Sequence, residues 1–429
     1  MVEYGGDMAS HEDYRKRIEF WGRITIGTII LANFGLFWVC YCYLGNLLLL
    51  ANLLTGVCLL EWAWHVTQRI HNVDEERDAL FPAFRRLEAK HWNKWLHYPI
   101  AVTLALPKLW FLFIMLPGAA VLGKIILFGY KQRPIVGWRK TWADIQYFCC
   151  GWFFHMTLNV KVERIRADDF DYSEWLGPGY KEKQELPAKV STHIAAPHAS
   201  WLDTVVMQYF ENHAFAVKKE AEKNVIVRNF LAPMQVFYID RKAGDQAVNE
   251  IIEKQEAVEK DPRNPPIMVM PEGTQSNGKY LLPFKRGAFE GLKTVQPIVT
   301  VCEKSPKYMR PSWECLGFLE QIFLTGTICS FYTLKMTRLP PFKPNDYLFE
   351  KYADKGTSKA EIFAWAARDL MSKVSKCEKI EVHARDKALY KDFITGKTDE
   401  MEYKGKKFAA PPIASVIPCA KKKKRAKSQ

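Results

Sequence analysis

The chain has 429 residues, 48% of them hydrophobic, with 14 Trp and a formal net charge of +14. That leaves room for one large domain with additions or for two domains, and the positive excess favours an anionic partner such as phospholipid headgroups, a phosphorylated cofactor or nucleic acid. The cations are not interleaved with aromatics, which argues against nucleic acid. The ten Cys form no Cys-x-x-Cys pair, Cys40 and Cys42 lie inside an apolar run and Cys149-Cys150 are adjacent, which reads as free thiols in a reducing compartment rather than a disulfide frame or a zinc site.

Residues 1–23 are polar and mixed in charge and lack the pattern of a signal peptide. Ile24 to Leu60 then runs 37 residues without a charge, where one membrane helix needs about 20. Either one long tilted span or a hairpin of two, turning near Gly45-Asn46, fits. Basic residues at both ends (Arg23; Arg69, Arg77, Arg85, Arg86) favour the hairpin with both ends cytosolic. Residues 61–97 are charged and helical in pattern. Tyr98 to Tyr130 is apolar but broken by Pro99, Pro107, Lys108, Pro117 and Lys124. The expectation there is helices lying in or dipping into the interface, with Trp110 and Trp138 at that depth, and a further crossing as the alternative. The organisation expected is a polar segment 1–23, a transmembrane hairpin 24–60, a helical and interfacial region 61–150, an α/β domain 151–345, a helical region 346–395 and a basic, disordered tail 396–429.

From about 150 strands and helices alternate. Strands are expected over 157–165, 190–196, 213–217, 236–239, 267–270 and 297–301, with Leu334 to Arg338 as an edge strand. Helices are expected over 201–210, 221–231 and 245–260, the last capped by Asp245. Ser358-Lys-Ala-Glu361 is a capping box for a helix to about Ser375 that packs on the α/β domain. This alternation predicts an α/β mixed sheet, whose ligands gather at the carboxyl ends of its strands.

Three apolar strands are followed by polar residues. His198 sits where a strand gives way to a helix, and Asp203 follows within about a turn. An imidazole with a carboxylate in reach keeps one tautomer, as a general base requires. Positions five apart do not share a helix face, so His198 must lie before the helix proper. Arg241 offers a planar fork suited to phosphate. Glu272 either binds a hydroxyl or buttresses that Arg. Gly273 permits a turn closed to other residues, and Thr274 hydrogen-bonds locally. Lys285 and Arg286 place two cations beside Gly287-Ala288, which suits phosphates. No metal site is expected.

His198-x-x-x-x-Asp203, Phe237-Tyr-Ile-Asp-Arg241, Pro271-Glu-Gly-Thr274 and Pro283-x-x-x-Gly287-Ala-Phe289 with Pro297-Ile298 resemble, in order and spacing, the glycerolipid acyltransferases. The Ala-Pro-His start, the Phe-Lys-x-Gly-Ala-Phe run and Val-Gln-Pro-Ile are similar to the lysophosphatidylcholine acyltransferase branch. The resemblance covers about residues 195–300. It implies the glycerolipid acyltransferase fold, with His198 deprotonating the acceptor hydroxyl and Asp203 orienting it. It further implies Arg241 on the acceptor's phosphate, Glu272, Gly273 and Thr274 shaping that site, and residues 283–298 (Lys285, Arg286, Gly287, Pro297) lining the acyl or coenzyme A side.

The resemblance implies acyl-CoA as co-substrate with no permanently bound cofactor, a lysophospholipid acceptor, and the cytosolic side of the endoplasmic reticulum membrane. Gln275 stands where many lysophosphatidic acid acylating members have Arg, which weakens a phosphatidic-acid-forming role. No EF-hand loop occurs, so no calcium control is expected. The Lys421–Arg425 run suits anionic lipid. Acylation of glycerol 3-phosphate or lysophosphatidic acid, a coenzyme-A-independent transacylase and a catalytically silent lipid-binding scaffold remain as alternatives.

Overall fold

The computed structural model describes residues 8–409 except 72–73, 158–159, 184, 188, 201–202, 205–206, 208–211, 241–243, 304–307 and 310–331. Helix α1 (Met8–Leu44) ends at Gly45, whose φ of +49° suits a residue without a side chain, and α2 (Asn46–Val66) returns. The two helices reach well beyond the uncharged run of 24–60. Of residues 61–97, expected to be helical, the first six complete α2 and the described remainder forms only short turns, at Gln68–His71, Glu75–Ala79, Leu87–His91 and Lys94–Leu96. The expected set of broken interfacial helices over 98–130 is instead one 29-residue helix, α3 (Tyr98–Ile126), that continues through Pro107 and Pro117. Helix α4 (Gly137–Thr157) follows.

A proline inside a helix strands backbone groups on the preceding turn, and in an apolar setting these need a partner. Asn52 of α2 supplies it. Its amide donates to the carbonyls of Val102 (2.6 Å) and Thr103 (3.2 Å), and its oxygen accepts from Leu106 N (3.0 Å). One turn on, a side chain at Gly56 would collide with the backbone of Ala101 and Val102. The glycine is what lets the two helices come close enough for Asn52 to reach.

The main body is built on seven strands: β1 (Val160–Arg166), β2 (Thr192–Ala196), β3 (Ala214–Lys218), β4 (Phe237–Ile239), β5 (Ile267–Val269), β7 (Val295–Glu303) and β8 (Tyr332–Arg338). They form one sheet in the order β1-β8-β7-β2-β5-β3-β4. The short pair β6 (Tyr280–Leu281) and β9 (Glu378–Lys379) lies apart. All neighbours in the large sheet run parallel except β7 and β8. β8 is therefore not the expected edge strand. It lies between β1 and β7, pairing with both.

Alternate residues sort to the two faces, as the pleat requires. Ile194, Ala196, Val295 and Val299 pack with one cluster, and Ala195, Ile298 and Met268 with the other. Helices α5 (Val225–Leu231) and α6 (Asp245–Lys260) connect β3, β4 and β5. Asp245 is the first residue of α6; Gly244 holds the cap position and Asp245 makes no capping bond. After β8 come α7 (Asp346–Lys351) and α8 (Lys359–Ser375). Ser358 accepts from Glu361 N (3.2 Å), whereas Glu361 reaches back to Thr357 rather than to the cap residue. The apolar stripe of α8 (Ile362, Phe363, Ala366, Leu370) is buried in the first cluster.

The tail departs from expectation. Helix α9 (Ala384–Ile394) leads into a hairpin of β10 (Glu400–Tyr403) and β11 (Lys406–Ala409). Its aromatics give it a core: Tyr390, Phe393 and Met401 are buried with Phe81, Phe84 and Leu282. The basic run 421–427 lies outside the described residues.

Among the described residues, three helices are long and apolar enough to cross a membrane, within Asp13–Leu44, Asn46–Val66 and Tyr98–Ile126. Yet both ends of α3 dock on the same α/β body. At its start, the His97 ring accepts from Met309 N (3.4 Å). At its end, Gly123 abuts Asn229 and Pro233, and just beyond it Ile135 N donates to Gln235 (3.0 Å). A bilayer between those ends would have to pass through that body. Cysteines introduced at Lys90 and Lys131, both exposed, in a background lacking other reactive thiols, are therefore expected to take an impermeant maleimide from the same side of sealed vesicles. Protection of one of them alone would show that α3 crosses.

Candidate active site

β2 ends at Ala196, and His198 stands just beyond its carboxyl end, before any helix. From there the ring reaches Asp203: Nδ1 lies 3.0 Å from Oδ2. A carboxylate cannot donate, so Nδ1 carries the proton and Nε2 is left as the acceptor. The same Asp203 oxygen accepts from Ala199 N (2.8 Å) and Ser200 N (3.0 Å). Three donors on one oxygen fix the carboxylate, and through it the imidazole. Asp203 is 3% exposed, while the His198 side chain keeps 13%, so the carboxylate is sealed and the ring still meets the surface.

The backbone of the turn is held as tightly. Pro197 O accepts from Thr300 Oγ1 of β7 (2.7 Å), and His198 O accepts from Ser276 N (2.8 Å). His198 N donates to Glu272, whose other oxygen accepts from Leu282 N (2.8 Å). Glu272 was expected to bind a hydroxyl or to buttress Arg241. Buried at 3% exposure and occupied by two backbone N–H groups, it buttresses His198. Burial pushes its carboxyl up to about 8; the N–H groups of His198 and Leu282 pull the other way, and the Asp203 charge adds to the rise.

Gly273 has φ +66°, and a side chain there would strike Lys285. The exposed Lys285 thus lies across the turn after β5, bringing a cation to it. Arg286 faces Asp245 (3.6 Å) and Glu290 (3.4 Å), and Gly287 faces the apolar Ile251 and Val248 of α6. Pro297, expected on the acyl or coenzyme A side, lies within β7. It is buried in mid-strand opposite Ile194, four residues short of the level of His198, roughly 13 Å along the strand at the usual rise. Thr274 is partly buried beside Gly273. Arg241 lies outside the described residues, as do 201–202, 205–206 and 208–210 of the stretch expected to be helical. Thr300, Ser276 and Leu282 had no distinguishing signal in the sequence. Their contributions are a hydroxyl or an N–H aimed at a backbone group or a carboxyl oxygen, which no residue pattern encodes.

A histidine held by a buried carboxylate at the carboxyl end of a sheet's central strand is an arrangement able to move a proton on a bound ligand. Residues 179–304 match the Acyltransferase family model, a segment that holds His198, Asp203, Glu272 and the residues that brace them. Among curated proteins the chain is similar to lysophosphatidylcholine acyltransferase 1 of Homo sapiens (26% identity over 40% of this chain and 33% of that one). It is also similar to the lysophosphatidylcholine acyltransferase of Drosophila melanogaster (25%, over 57% and 41%). The chain thus spans well under half the length of these relatives. A crystal structure of the 1-acyl-sn-glycerophosphate (LPA) acyltransferase PlsC from Thermotoga maritima aligns over 63% of this chain and 94% of its own, at 18% identity and a TM-score of 0.42.

Two outcomes are expected. His198→Ala lowers turnover by about a hundred- to ten-thousandfold, the usual worth of a general base, with the thermal transition retained; an unchanged rate would remove His198 from the chemistry. Second, Glu272 binds its proton more tightly folded than unfolded, because its value rises from the ordinary 4.5 to about 8. Its contribution to stability is then fully present below about 4.5 and is lost as pH rises through about 8. Thermal stability measured from pH 5 to pH 9 should fall less steeply in Glu272→Gln than in the parent chain.

Proposed function

We propose that this chain transfers a fatty acyl group from acyl-CoA to the free hydroxyl of a lysophospholipid. The observation that carries the reading is the His198–Asp203 pair, 3.0 Å apart, inside the segment that matches the Acyltransferase family. Relatives named for lysophosphatidylcholine as acceptor support the substrate class.

The geometry of the pair supports a direct transfer. His198 Nε2 takes the proton of the acceptor hydroxyl as its oxygen attacks the thioester carbonyl. The tetrahedral intermediate collapses, the C–S bond breaks, and the imidazolium returns the proton to the leaving thiolate. Asp203 keeps the ring in the productive tautomer throughout. A thioester is already activated, so no enzyme nucleophile is needed. Lys285 beside Gly273, together with Arg241, would hold the acceptor's phosphate. The apolar helices would let both lipid substrates reach the site without leaving the membrane. The reading places the protein in the endoplasmic reticulum membrane with the domain on the cytosolic side and the basic tail against anionic lipid.

Purified protein is to be incubated with acyl-CoA and a panel of lysolipids, with products read by mass spectrometry and released thiol counted. Stoichiometric thiol release with a diacyl phospholipid product is expected. Acyl exchange between phospholipids without thiol release would identify a transacylase instead, and product from glycerol 3-phosphate or lysophosphatidic acid alone would move the acceptor class. No acyl transfer to any acceptor would overturn the reading.

A further inference from the structure

The loop of residues 273–278 touches His198 through Ser276 N, which donates to His198 O. With Glu272 on the N–H, both backbone groups of His198 are taken by one continuous segment. What holds that segment in place is Asn277, 3% exposed. Its N–H donates to Ala83 O (2.7 Å). Its amide donates to Pro82 O (2.8 Å) and Arg85 O (3.0 Å), and its oxygen accepts from Lys279 N (3.1 Å). Both ends of the side chain are engaged, the amide as donor and the oxygen as acceptor.

The turn that Asn277 grips is itself anchored. Phe81 and Phe84 are fully buried, and the Phe81 ring stacks on Tyr390 (4.9 Å) and lies beside Tyr403 (4.6 Å). From α9, Lys387 Nζ donates to Gln275 O (2.9 Å). The membrane-proximal turns and the C-terminal module therefore converge on the loop from outside, and His198 rests on its inner side.

We propose that Asn277 is a positioning residue for His198: it pins the loop to residues 82–85 and so sets where the imidazole stands, with α9 and the hairpin as its outer brace. The inference rests on reading His198 as the base. Asn277→Asp is close to isosteric. It keeps the acceptor for Lys279 N but turns an oxygen with no proton toward two carbonyls, so the loop must shift. A displacement of about 1 Å in a positioned group costs on the order of a hundredfold in rate.

The test compares Asn277→Asp with Asn264→Ala in the acyl-transfer assay. Asn264 also grips two carbonyls, Ala257 O (3.0 Å) and Asp261 O (3.1 Å), but before the amino end of β5. Expected for Asn277→Asp is a kcat lower by about a hundredfold, with KM for both substrates within about twofold, a loss confined to the transition state. Asn264→Ala is expected to lose thermal stability and to keep its kcat. A parental kcat in folded Asn277→Asp, or a loss expressed in KM, would overturn the proposal. Should Asn277→Asp not fold, Lys387→Met decides: a lower kcat at unchanged KM supports the brace, and an unchanged kcat refutes it. His198→Ala runs alongside. If it stays active, the parent reading fails; if it is inactive while Asn277→Asp is fully active, only this inference fails.

Discussion

The backbone N–H of His198 points into the protein and ends on a buried carboxyl group. That one bond ties the turn after β2 to the turn after β5, and much of the site depends on it. Without Glu272, two buried N–H groups, those of His198 and Leu282, would lose their acceptor, each at about 1–3 kcal/mol. The raised carboxyl value shows what the arrangement works against: a charge taken fully out of water is disfavoured even when two donors face it. Both oxygens of Glu272 are taken up by backbone N–H groups. It supplies two acceptors at a fixed distance from the sheet, while the exposed edge of the imidazole is left for chemistry.

The site's first residues were legible because strands and helices leave a strong imprint. Val190, Thr192 and Ile194 mark β2, and Pro197 marks its end, so His198 had to stand at the strand's exit. The spacing to Asp203 then had to be bridged by a turn, and Ala199 N and Ser200 N show how: they fold back onto the same carboxylate that holds the ring. What could not be read was the direction of each side chain. Glu272 and Pro297 both belong to motifs, yet one faces inward to backbone amides and the other sits mid-sheet. Periodicity says which face a residue takes, but not whether that face is covered.

The misread segments have a common cause. Tyr98 to Tyr130 looked broken because prolines end helices in water, where the freed carbonyls are simply hydrated. Here Asn52 supplies the missing partners from a neighbouring helix, which is a tertiary fact. Residues 396–409 looked like tail because a four-residue strand with two apolar residues, Met401 and Tyr403, has too little apolar face to form a core of its own. Met401 and Tyr403 find theirs against Phe81 and Tyr390, with Phe81 more than 300 positions away in sequence. β8 looked like an edge because its partner β1 precedes it by the whole sheet.

These long-range contacts also explain why the helical region and the sheet act as one body. Tyr147 of α4 donates to His213 O beside β3 (3.2 Å), and Gln146 donates to Ala119 O of α3 (3.0 Å). Arg69, just after α2, reaches Phe393 O (2.8 Å), Thr398 O (3.0 Å) and Asp399 (2.7 Å) in the C-terminal module. The chain leaves the apolar hairpin, fastens to its own C-terminal end, and only then enters α3. A turn fixed in this way at residues 81–85 cannot move independently of the apolar helices. His198 is thereby held at a constant distance from the helices that carry the apolar surface, and a fixed distance is what the proposed transfer to a membrane lipid would require.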